Sequence, residues 1–179
     1  MAEAFSNKLV RAAGIVTTSS AGSIGALANI ITGISTSGVV VGSLVDNTNF
    51  IAGSKVSVIG VGQVTVDRAS TNTAGASSQN VKFLTSTDAY QSASGTKSIL
   101  IGGTFANNTN NQVNLTVGIN DNSTGVEAAI ASKIPVPAGS SFVISDAGKT
   151  VLESLDTVKV YCDVDNALDV NLSILTGVN

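Results

Sequence analysis

The chain has no histidine and no tryptophan, and its 179 residues include one cysteine, one methionine and two prolines. Without histidine it lacks Ser-His-Asp and Cys-His machinery, the commonest general base, and most zinc sites. The lone Cys162 excludes an intrachain disulfide. Beside Val160, Tyr161 and Val164 it reads as a small strand or core residue rather than a reactive thiol. Twelve carboxylates are enough for a glycosidase pair, but two tyrosines and five phenylalanines give little of the aromatic platform that lines a sugar cleft.

Charge is scarce as well. Asp, Glu, Lys and Arg make up 12% of the chain, about half the usual share near 25%. Nine basic residues scattered along a chain of net charge -3 form no stripe that would neutralise phosphates, so neither nucleic acid nor an anionic membrane surface is an expected partner. No apolar run reaches the roughly 18 residues of a membrane helix. Lys8 and Arg11 ahead of a run ending at Ala26-Leu27-Ala28 loosely imitate a signal peptide. Thr17-Thr18-Ser19-Ser20 interrupt that run and Glu3 lies in its basic region, so secretion is not expected.

What is abundant is 43% hydrophobic residues, with Val, Ile and Thr prominent and Gly-containing turns recurring about every ten residues. This pattern predicts an all-β sandwich or barrel, and the expected fold class is an antiparallel β-sandwich, jelly-roll-like, with an inserted small β-rich lobe. A positive mean hydropathy on so few charges also predicts extensive apolar contact surface, hence a homo-oligomer or a subunit of a larger assembly.

The clearest strands lie in the second half. In Lys97 to Phe105, Ile99, Ile101 and Phe105 share one parity, and Asn107 to Asn111 supply a turn. Val113, Leu115, Val117 and Ile119 alternate with Asn114, Thr116 and Gly118, which predicts one buried face. Val126 to Val136 is read as strand despite the helical propensity of Glu127 to Ala131, because Pro135 and Pro137 follow closely. Pro137 to Ser141 and Asp146-Ala147-Gly148 are turns, and Thr157 to Asp163 pairs with Leu168 to Leu175. Ile99, Ile101, Val113, Leu115, Val117, Val158, Val160, Leu172 and Ile174 are the expected core of this half.

Three segments follow from the pattern: an N-terminal arm or strand over 1–29, an inserted β-module over 30–85, and a sandwich domain over 86–179. Ser70 to Gln79 and Ser86 to Thr96 read as linkers. Asp163-Val164-Asp165-Asn166 superficially matches a calcium loop but lacks its central glycine and terminal glutamate, so it is read as a hairpin turn. Gly60-Val61-Gly62 has no helix behind it to hold a phosphate and is read as a β-turn. The sequence offers no catalytic, cofactor-binding or metal-ligating residue. Tyr90 and Tyr161 are the best placed side chains for a binding role, the first as a loop anchor and the second as an interface or core residue.

Ile101 to Thr109 (IGGTFANNT), Val113 to Ile119 (VNLTVGI), Lys133 to Ser141 (KIPVPAGSS) and Val151 to Val160 (VLESLDTVKV) resemble a small β-sandwich that recurs among phage virion proteins, marine phages in particular. The similarity runs from Ala89 to Leu175, about half the chain. The inserted segment resembles a short β-module of phage tail and fibre-like proteins. It departs from that module in having Ser43 where methionine is usual, and Ile51 directly before Ala52-Gly53 with no proline. The resemblance implies a non-enzymatic structural protein located in the virion, most simply a capsid decoration subunit, with other capsid or tail proteins as partners. A neck, tail or baseplate component, or a receptor- or carbohydrate-binding module, is the alternative.

Overall fold

β-Branched residues separated by Gly, Asn and Asp turns give fifteen strands and no helix among the described residues of the computed structural model, which are 3–145 and 149–178. The turn expected at Asp146-Ala147-Gly148 lies outside them. The chain divides into two compact units, one made of residues up to Gly14 and from Ser86 onward, the other of Ile15–Thr85.

Strand β1 (Ala4–Ala13) belongs to the first unit. The next six strands make the second: β2 (Ile15–Ile24), β3 (Ile30–Thr32), β4 (Leu44–Asp46), β5 (Val56–Gly60), β6 (Gln63–Val66) and β7 (Ala76–Thr85). They form one antiparallel sheet in the order β4-β7-β2-β3-β6-β5. Its two ends meet through a Leu44–Lys55 bridge and the backbone bonds Val45 N to Ser54 O (2.8 Å) and Val56 N to Ser43 O (2.9 Å). The sheet thereby closes into a small barrel, which removes its open edges. Ile24, Ile31, Val45, Phe50, Val56, Val64, Val81 and Phe83 fill it.

The remaining strands return to the first unit: β8 (Thr87–Gln91), β9 (Lys97–Asn107), β10 (Val113–Asn120), β11 (Glu127–Val136), β12 (Ser141–Ile144), β13 (Thr150–Leu152), β14 (Thr157–Cys162) and β15 (Leu168–Val178). One sheet runs β1-β15-β9-β12, with the short β13 also on β9, and the other runs β11-β10-β14-β8. Omitting β13, the first sheet holds the first, eighth, third and sixth strands of this unit in chain order. The second sheet holds the second, seventh, fourth and fifth. That alternation between sheets is the double Greek key of a jelly roll, and the barrel is inserted between its first and second strands. Leu100, Phe105, Leu168, Val170, Leu172 and Ile174 of one sheet meet Val113, Leu115, Val117, Val158, Val160 and Cys162 of the other in a single core.

Several local expectations need correction. Ile99 and Ile101 are only half-buried, and Leu100 is the core residue at 2% exposure. The register against β15 jumps from Gly102↔Ser173 to Leu100↔Ile174, so Ile101 is an extra residue in a β-bulge. An extra residue turns every side chain before it to the opposite face. Ser86 to Thr96 is not simply a linker, since β8 lies within it, and β7 begins at Ala76, inside the other expected linker, Ser70 to Gln79. The N-terminal arm is divided: β1 lies at the edge of the jelly roll, whereas β2 is an interior strand of the barrel between β7 and β3. Positive φ at Ala12 (56°) and Gly14 (116°) redirects the chain between the two. A side chain at Gly14 would also come within 2.5 Å of the Val164 carbonyl oxygen, which leaves glycine as the residue that fits.

Candidate interaction surface

The outer faces of the two jelly-roll sheets differ in chemistry. On the sheet that contains β1, Phe5, Leu175, Ile99 and Val151 are successive partners across β1, β15, β9 and β13. Their chain neighbours Leu100, Leu152 and Ile174 point into the core, so this row faces away from it. Phe5 is 79% and Val151 51% exposed, and Ile99 and Leu175 are half-buried between them. Leu9, at 72% exposure, and Val143, at 54%, lie on the same face. Phe5, Ser6, Asn7, Ile101, Ser173 and Ile174 line a shallow recess of ≈ 370 Å³ at its β1 margin.

The opposite sheet turns a polar face outward. Tyr161 projects there from β14, is 1% exposed, and donates its hydroxyl to Glu127, with both carboxylate oxygens at 2.9 Å. Burial raises the Tyr161 phenol well above its ordinary titration range, and the Glu127 charge raises it further. Gly118 makes room for this pair, since a Cβ there would stand 2.8 Å from the nearer Glu127 oxygen. Lys159 and Asp88 form an ion pair at 2.9 Å on the same face. Thr116, between the alternating apolar residues of β10, accepts the Lys133 backbone N–H at 3.0 Å on its hydroxyl oxygen.

The two tyrosines singled out by sequence stand on paired strands of one sheet, β8 and β14, but on its opposite faces, and are not brought together into one site. Tyr90 is a half-buried residue of β8, not a loop anchor, and its hydroxyl lies 2.7 Å from Ser98 Oγ. The Asp163 turn spends its carboxylate on Asn114, accepting the backbone N–H at 2.7 Å and the side-chain amide at 2.8 Å. Cys162 lies in the core. Among the described residues no three His, Cys, Asp or Glu side chains converge in a way that suits a metal ion.

No family model, known relative or solved structure matches this chain. Its reading accordingly rests on its own surfaces.

One residue that sequence reasoning placed in a polar turn proves to be structural. Asn107 is 2% exposed, and its amide donates to Asn111 O (2.8 Å) and Val136 O (2.9 Å) while its oxygen accepts from Thr109 N (2.9 Å). It clamps the end of β9 to the Pro137 turn. Nothing in the run Asn107-Asn108-Thr109-Asn110-Asn111 distinguishes it, because burial there depends on strands that are distant in sequence. The adjoining recess of ≈ 600 Å³, bounded by Asn107–Asn110 and Ala138–Ser141, contains no aromatic side chain.

Proposed function

We propose that this chain is a structural subunit of a bacteriophage virion, a capsid decoration protein that packs on the particle through its β-surfaces. The observation that carries the reading is the exposed apolar row Phe5–Leu175–Ile99–Val151 on a chain otherwise poor in charge. A contiguous apolar strip on a sheet face is the kind of surface that partners cover. The jelly roll is common among capsid proteins and among lectins, so the fold alone leaves both open. The aromatic residues favour packing. Tyr161, Phe50, Phe83 and Phe105 are buried, Tyr90 and Phe142 are half-buried, and Phe5 alone is exposed, on the apolar face. A sugar site would instead need an exposed ring beside polar groups.

Imaging of intact particles tests the proposal. Density for a jelly roll and a small barrel on the capsid exterior is the expected result. The same density at the neck, tail or baseplate would keep the structural role and move its place. Particles that lack this chain altogether would overturn the proposal.

A further inference from the structure

Strand β1 is the edge of its sheet. Its ladder partner among the described residues is β15 alone, which leaves one side of residues 4–10 without a strand. Long open edges recruit another strand unless something guards them. We propose that β1 pairs antiparallel with β1 of a second copy, Asn7 facing Asn7 across a twofold axis.

The register comes from the side chains. With Asn7 on the axis, Phe5 faces Leu9 of the second copy, Glu3 faces Arg11 and Ser6 faces Lys8. The two most exposed apolar residues of the sheet face then cover each other, and acid meets base. An axis at Ser6 sets Glu3 against Leu9, and one at Lys8 sets Phe5 against Arg11. Directly opposed pairs contribute about 0.2–1 kcal/mol each when they match, so the Asn7 register is the favoured one. Arg11 already lies on this outer side, where its charge helps hold Asp169 below the usual carboxylate range, behind the larger effect of the Ala12 N–H.

Lysine on an edge usually discourages stray pairing. In the proposed register Lys8 comes opposite the neutral Ser6 and not opposite a second lysine, so it selects one register rather than blocking all of them.

Pairing through one strand makes a small, isologous interface, expected to give a reversible dimer of roughly micromolar dissociation constant. The inference deepens the assembly reading and rests on it, yet dimerisation is measured on isolated chains and incorporation on particles, so either can fail alone. The test is cysteine cross-linking of the full chain, in which the native Cys162 is buried. Asn7→Cys should give a disulfide-linked dimer under mild oxidation. Phe5→Cys alone should not, because the two sulfurs would be offset by four residues, about 13 Å along the strands. Phe5→Cys mixed with Leu9→Cys should cross-link. Sedimentation of Phe5→Lys should show the dimer weakened at least about tenfold. A wild-type chain that stays monomeric at about 100 μM, far above that range, overturns the proposal. So does a dimer in which Phe5→Cys cross-links with itself as readily as Asn7→Cys.

Discussion

Tyr161 shows how one side chain sets a property of the whole fold. The phenol is almost fully enclosed and donates to the Glu127 carboxylate, and its titration is raised above the ordinary value of 10.0, by burial first and by the Glu127 charge second. A group whose pKa is raised on folding contributes stability that is complete below its unfolded value and is lost as pH climbs toward the folded one. Tyr161→Phe is expected to cost about 1.5–3 kcal/mol near neutral pH, as for a hydrogen bond to a charged acceptor. The difference from wild type should shrink between about pH 9 and pH 11, where only the unfolded wild-type chain releases the proton. Urea unfolding of both proteins across that range checks this, and a constant difference would refute the linkage. Sequence identified Tyr161 as an interface or core residue but not its partner. Glu127 lies 34 positions away, on a strand that does not pair with β14.

At the scale of an element, β9 is the instructive strand. Alternating apolar residues made β10 legible, and Val113, Leu115 and Val117 are all buried as expected. The same logic misplaced Ile99 and Ile101, because the bulge at Ile101 moves the buried set to Leu100 before it and Phe105 after it. Gly102-Gly103 was the available signal, since paired glycines inside a strand mark bulges and close approaches. A Cβ on Gly103 would stand 2.7 Å from Leu172 Cδ2. Leu100→Ala is expected to cost about 2–5 kcal/mol and Ile101→Ala no more than about 1, measured by chemical unfolding. The reverse order would show that the register read from the sheet is wrong. Strands β2 and β8 stayed hidden for another reason. Thr17-Thr18-Ser19-Ser20 and Thr87-Asp88 lack an apolar alternation, and these strands are held by ladder bonds to neighbours far off in sequence.

For the whole molecule, low charge was legible at once and the face it serves was not. Phe5, Ile99, Val151 and Leu175 are scattered along the chain and become one strip only through pairing of β1, β15, β9 and β13. With charged residues at 12%, little long-range repulsion holds subunits apart, and apolar burial at about 25 cal/mol per Å² is left as the main attraction. The Lys97–Glu153 pair, at 3.1 Å with both side chains about half exposed, is of a kind worth about 0–1 kcal/mol. An edge pair such as Glu3 with Arg11 would likewise choose register more than supply strength. Salt separates the two sources of cohesion. Exposed ion pairs are screened beyond about 10 Å at 0.1 M, whereas many salts strengthen apolar association. Purified oligomers or particles taken from low to high sodium chloride should therefore retain this subunit, and moderate urea should release it, both followed by sedimentation. Wholesale release at moderate salt would mean that charge holds the subunit in place, and burial of weakly charged β-surface would fail as the mechanism.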